Sequence, residues 1–239
     1  MQHGQISAQE MGYDRASTMF SPEGRLLQVE YAKKTVKQGS SAIGLVCKDG
    51  VVLLADRRIV EKLIIAGSIE KVNQVDDHIA ATSAGILSDG RVLVERAQVL
   101  AQQHKVTYDT PIDTQSLVKE ICNLKQFYTQ VAGARPFGVA LLVGGVDDDD
   151  GPHLFVTDPT GIYFEYKATA IGENDTAIKD MLEKEYKESM NINDGLGLAV
   201  RVLRKALGKE FDVSRLDGAY IRTSDKKFTK LKKEDFKGK

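Results

Sequence analysis

From Leu26 onward the apolar positions fall at Leu26, Val29, Ala32 and Val36, spacings of three, three and four that mark one face of a helix. The spacing predicts a helix over about residues 22–38. Ser21 stands where an N-cap hydroxyl is favoured, and Pro22 at the first helical position forfeits no hydrogen bond. Glu23 puts negative charge at the positive end of the helix dipole, and Gly39 ends the stripe as a C-terminal glycine does. Ahead of this helix runs Met1 to Gly12, a polar stretch unable to pack a core, followed by Tyr13 and Asp14.

Beyond Gly39 the period changes. Ala42 to Cys47 and Val51 to Ala55 are dense in apolar residues and meet at Lys48-Asp49-Gly50, a hairpin signal between strands buried on both faces. Val72 to Val75 and His78 to Ser83 predict two more short strands across Asp76-Asp77. Ser88 to about His104 has a helical period, with Leu93, Ala97 and Leu100 on one stripe. A second helix after Pro111 carries Leu117, Ile121, Leu124 and Tyr128, with Asp113 as its cap. Strands return at Phe137 to Gly145, Leu154 to Val156 and Ile162 to Phe164, the last two joined by the type I turn sequence Asp158-Pro159-Thr160-Gly161. Two helices follow, one with Ile178, Met181 and Leu182, the other with Leu196, Val200, Leu203 and Leu207, and then a strand at Ala219 to Thr223. Hairpin strands segregated from paired helices predict an α+β fold rather than βαβ repeats. With both sheet faces buried, the expected architecture is a four-layer αββα sandwich: two stacked antiparallel sheets flanked by helix pairs, in one domain over 13–239.

Composition narrows the function classes. A net charge of −1 over 239 residues gives no global electrostatic case for nucleic acid or an anionic membrane. No stretch approaches a membrane span, and the N-terminus has no signal-peptide core, so a soluble cytoplasmic chain is expected. The basic tail from about Lys226 to Lys239 reads as a solvated, partly frayed terminus. Cys47 and Cys122 sit in apolar patterns and read as buried reduced thiols. Histidines 3, 78, 104 and 153 lack zinc-site spacing. The run Asp147 to Asp150 lacks the alternating ligands of a calcium loop and reads as a solvated hairpin tip. Neither a metal nor a cofactor is expected.

One segment carries candidate chemistry. Gly39-Ser40-Ser41 opens the first strand, and a hydroxyl after a glycine is how a self-processing N-terminal nucleophile looks in a precursor. Asp56, at the end of the paired strand, could orient it, but activation needs a neighbouring cation or base. The other reading is that Ser40 simply leads into the strand, and spacing alone favours it.

YDRASTMFSPEGRLLQVEYA, residues 13–32, resembles the signature of proteasome α-type subunits, specifically those of the archaeal 20S core particle. The likeness continues through GSSAIGLVCKDGVVLLADRR, SIEKV, SAGILSDGRVL, RPFGVALLVGG, DPTGIYFEYKATAIG and LEKEY. It implies the αββα sandwich of N-terminal-nucleophile hydrolases. It also implies that Ser40 and Asp56 occupy the nucleophile and acidic positions of the related catalytic β subunits, with Glu70 where their activating lysine falls. An anion there disfavours the chemistry, so no catalytic residue is expected. The implied role is that of a ring-forming subunit. Its homo-heptamer would stack on β subunits, gate the passage of unfolded polypeptides and dock a regulatory AAA+ ATPase. The resemblance gives Met1 to Gly12 as the gate tail, slightly longer than in close relatives, and Tyr13, Asp14, Pro22 and Tyr31 as the latch. It gives Lys71 as the acceptor of the ATPase C-terminal carboxylate, with Gly39 and Gly85 lining that pocket. Val131, Ala132, Gly133 and Ala134 correspond to the channel constriction.

Overall fold

The Lys48-Asp49 turn folds Ala42–Cys47 (β1) back on Gly50–Asp56 (β2), with Ala42 opposite Ala55 and Cys47 opposite Gly50. The computed structural model describes residues 12–58 and 63–236, so most of the expected gate tail, Met1 to Met11, lies outside the described residues. Leu27–Gln38 (α1) precedes this hairpin, and Val72–Asp76 (β3), Ile79–Gly85 (β4), Leu87–Tyr108 (α2) and Thr114–Tyr128 (α3) follow it. Then come Val139–Asp147 (β5), Gly151–Thr157 (β6), Tyr163–Glu165 (β7) and Ala168–Ile171 (β8). Asp175–Glu185 (α4), Ile192–Leu207 (α5), Leu216–Arg222 (β9) and Phe228–Lys230 (β10) complete the order.

The strands form two antiparallel sheets, β10-β9-β2-β1-β8 and β3-β4-β5-β6-β7. Alternation along each strand decides which layer a side chain joins. From β2, Val52 and Leu54 meet Leu196 and Leu203 in the core beneath α4 and α5. Val51, Leu53 and Ala55 turn the other way and meet Leu142 and Leu154 between the sheets. Leu141 and Val143 of β5 join Leu93, Leu117 and Ile121 beneath α2 and α3. Both faces of both sheets are therefore covered, which is why the strands read as apolar throughout. The four-layer αββα arrangement expected from the sequence is present, with α1 laid across β4 and β5.

Several expectations are corrected. The first helix begins at Leu27, not Pro22, and no side chain caps it. Gly24 at φ +74° breaks the helical path, and residues 21–24 form a turn closed by Gly24 N–H to the Ser21 carbonyl at 2.8 Å. Gly39 ends the helix in extended backbone (φ −69°, ψ 153°) rather than in the left-handed region. Sequence reading missed β8 and β10 altogether. The basic C-terminus is folded through Phe236: Phe228–Lys230 pairs with β9, and Phe236 is buried in the core under α5. Asp147 is not a solvated tip residue; its carboxylate accepts the Thr114 N–H and hydroxyl at the start of α3, and Asp148 pairs with Lys226. Asp113 does cap α3, accepting from Ser116 N–H at 2.8 Å.

A fully buried cation sits beneath α3. Lys125 donates to the Val139 carbonyl and the Thr157 hydroxyl, both at 2.9 Å, and desolvation lowers its pKa to about 8. Lys71, also buried, is lowered to about 8 for the same reason. Unfolded lysine holds its proton to about 10.5, so the unfolded state binds more protons above pH 8 and stability rises with pH there. The buried thiols oppose this above their ordinary value of 9.0, since burial raises Cys47 to about 12 and Cys122 to about 11. Between pH 8 and 9 the lysines dominate, each worth on the order of 1 kcal/mol. Chemical denaturation across that window is expected to show stability rising with pH, and Lys125→Met to flatten the rise by about half its lysine-derived part. An unchanged slope in Lys125→Met would contradict the assignment.

Candidate functional site

Three sets of sequence-predicted residues gather at one end of the sandwich, around α1. The first is the segment ahead of the helix. Gln28, on the first turn of α1, donates from Nε2 to the Asp14 carbonyl at 2.5 Å, and the Tyr31 hydroxyl reaches the Asp14 carboxylate at 3.4 Å. Lys34 lies over the Tyr31 ring at 5.4 Å. Asp14 and Tyr31 are thus brought together, with half-buried Tyr13 beside Asp14 in sequence. Pro22 sits in the exposed turn that leads into the helix.

The second set is the loop after α3. Val131 to Ala134 form a turn in which Gly133 adopts φ +82° in open space. Ala132, Gly133 and Ala134 share a cavity of about 460 Å3 with Arg15 to Thr18 and Gln28, so the loop lies against the segment that precedes α1. Arg135 fixes the loop by a bidentate ion pair to Asp89 of α2, at 2.6 and 2.7 Å. Burial alone would raise the Asp89 carboxyl, but Arg135 and the Gly138 N–H outweigh burial and hold its pKa below the usual value.

The third set surrounds Lys71 at the start of β3. Its ammonium donates to the Ser83 carbonyl at 2.9 Å, and its backbone N–H donates to the Asp217 carboxylate at 2.8 Å. Lys71 and Ser83 line a cavity of about 500 Å3 with Leu87, Gly90 and Arg91 of α2. Gly39 and Gly85 contribute backbone packing instead of pocket lining: a Cβ at Gly39 would stand 2.1 Å from the Gly85 nitrogen. Gly85, at φ +123°, still lies only two residues beyond the Lys71 acceptor.

The residues of the would-be hydrolytic centre are close by but differently committed. Asp56 is fully buried and bound to Arg215 through Nε at 2.9 Å and Nη2 at 2.6 Å. Glu70 is exposed, whereas the buried cation influenced by the Asp56 charge is Lys71, so the expected anion in the lysine position is corrected to a lysine. Among the described residues no hydrogen bond joins the Ser40 hydroxyl to Lys71 or Asp56. Gly39 is held on both sides, its N–H by the Thr35 and Val36 carbonyls and its carbonyl by Glu173 N–H at 2.7 Å. Ser40 therefore follows directly on the packed end of α1. Arg215, Asp217, Asp89 and Arg135 were missed by sequence reading, because an acidic residue in a helix's first turn is ordinary and the pairings span distant positions.

Comparison with known proteins agrees with this arrangement. The proteasome subunit family matches residues 36–221, and the N-terminal signature of proteasome A-type subunits matches residues 13–34. The proteasome alpha subunit of Methanosarcina barkeri is 50% identical over 228 residues, covering 95% of this chain and 91% of its own. The proteasome alpha subunits of Archaeoglobus fulgidus and Methanocaldococcus jannaschii are 45% and 48% identical, covering 95% and 94% of this chain and 92% and 85% of their own. The signature thus falls on the segment tied to α1 and the domain match on the two sheets behind it, so the chain belongs to the proteasome subunit family, as an α subunit of archaeal type.

Proposed function

We propose that this chain is a non-catalytic subunit of a heptameric proteasome outer ring, gating passage of unfolded polypeptides to the β subunits and docking a regulatory ATPase. The observation that carries the reading is the tether of Asp14 to α1 by Gln28 and Tyr31, which fixes where the N-terminal segment leaves a rigid helix. A polar tail beyond a fixed anchor suits a plug, since it has no core of its own to hold it in place. Tyr13, Asp14, Pro22 and Tyr31 would then act as the latch, and Val131 to Ala134 as the constriction, their small side chains leaving room only for an extended chain. Lys71 supplies the cation at the ATPase pocket. Among the described residues its ammonium donates to the Ser83 carbonyl, and a partner's C-terminal carboxylate would give it a directly bonded counter-ion. Gly39 and Gly85 would let the backbone around that pocket pack closely.

The self-processing reading of Ser40 has less support. Asp56 is already paired with Arg215, and among the described residues no hydrogen bond joins the Ser40 hydroxyl to Asp56 or Lys71.

Two experiments test the proposal in particles assembled with β subunits. Deleting residues 2–12 is expected to raise hydrolysis of short peptides several-fold in the absence of any activator; an unaltered rate would remove the case for a gate. Lys71→Ala is expected to abolish stimulation by the regulatory ATPase, read as the ratio of peptide hydrolysis with and without it. Stimulation equal to that of the unaltered particle would exclude Lys71 as the docking cation.

A further inference from the structure

The loop between α3 and β5 carries small residues at its tip and is fixed at both ends. On the α3 side the Thr129 hydroxyl donates to the Gln126 carbonyl at 2.6 Å. The Thr129 and Gln130 N–H groups donate to the Gln126 and Phe127 carbonyls, both at 3.0 Å. On the β5 side the Arg135 guanidinium grips the Asp89 carboxylate through both Nη atoms, and Nη1 also donates to the Pro136 carbonyl at 3.0 Å. The Gly138 N–H adds a bond to the same carboxylate at 2.9 Å. Asp89 is buried in the first turn of α2, so this end is anchored in the body of the sandwich. Across the base of the loop the Tyr128 and Phe137 rings lie 4.9 Å apart.

The tip is held far less firmly. Within it the Ala134 N–H reaches the Val131 carbonyl at 3.3 Å, and a Cβ at Gly133 would meet nothing within 4 Å. Ala132 and Gly133 are exposed. Side chains this small obstruct nothing by their own bulk. A barrier made of them is a barrier of main chain, and main chain obstructs a passage only while its base stays in place. The two anchors therefore matter to such a barrier as much as the tip does.

We propose that the Asp89–Arg135 pair sets the cross-section of polypeptide admitted past Val131 to Ala134, as a positioning clamp that holds the loop backbone at a fixed width. The inference rests on the constriction reading above and names the substrate property selected: a single extended strand passes, and a doubled strand is turned back. The pair acts through the loop backbone and not by contact with substrate. Losing the two-pronged bond lets the tip swing on its α3 anchor, with the displaced fraction rising roughly tenfold, as loss of a charge-assisted hydrogen bond implies.

The test uses particles assembled with β subunits and lacking residues 2–12, so that the loop rather than the tail limits entry. The substrate is an unstructured synthetic polypeptide with two internal cysteines, supplied either closed by its disulfide into a doubled strand or alkylated and linear. A short fluorogenic peptide reports access to the β subunits. With the unaltered loop, the linear form is expected to be degraded much faster than the closed one. Asp89→Asn and Arg135→Lys are each expected to cut that linear-to-closed ratio by roughly fivefold or more, with short-peptide hydrolysis within about twofold of the unaltered loop. Arg135→Lys alters an exposed side chain, so it carries the test even where Asp89→Asn assembles poorly. An unchanged ratio in both variants overturns the clamp. Short-peptide hydrolysis falling in step with polypeptide degradation also overturns it, by tracing the effect to assembly or to the β subunits. Ala132→Tyr adds bulk at an exposed tip position and is expected to slow both polypeptide forms. If it slows neither, or if the unaltered loop degrades both forms alike, the constriction reading itself is refuted.

Discussion

The backbone at Gly39 lies so close to that of Gly85 that no side chain fits at Gly39, and the Gly138 carbonyl excludes one at Gly85 in turn. This contact decides how α1 meets the sheets, and the rest of the architecture follows from it. With Glu173 N–H on the Gly39 carbonyl and α1 packed on β4 and β5, the chain enters β1 from a fixed direction. Ser40 consequently leads into β1 directly behind the packed end of α1. At the other end of α1, Gln28 and Tyr31 hold Asp14.

Buried charge is distributed in a way that agrees with a structural rather than hydrolytic role. Asp56 faces Arg215, and Asp217 receives the backbone N–H groups of Lys71 and Val72 while pairing with Arg57 and Lys230. Both carboxylates therefore have cations of their own. Lys71 and Lys125 are both buried against uncharged oxygens, with desolvation lowering each pKa to about 8, and Lys71 also lines a cavity. A buried ammonium in that condition gains from any carboxylate delivered to it, more than a solvated lysine would. The site is thus suited to receiving an acidic group from outside.

How far the sequence spoke for the structure varied with how local the signal was. The β1–β2 hairpin, the cap at Asp113 and the stripes of α2, α3 and α5 were legible because each depends on residues within a turn or two. The start of α1 was misread because Ser21-Pro22-Glu23 has good N-cap chemistry, whereas Gly24 at positive φ carries the chain into a turn first. The strand β10 hid among lysines whose charges read as solvent, although Lys230 reaches back to Asp217 and Phe236 fills the core beneath α5. Glu70 and Lys71 were confused at the edge of a strand, where a one-residue slip in register exchanges the inward and outward faces. The Asp89–Arg135 pair spans 46 positions, and only the folded chain brings them together.

The account stands on Ser40 remaining internal behind a retained helix. Intact-mass analysis of the chain recovered from assembled particles measures this directly. A mass that includes α1 and the segment before it is the predicted result. A chain beginning at Ser40 would contradict the account and return Ser40, Asp56 and Lys71 to the role of a self-processed hydrolase.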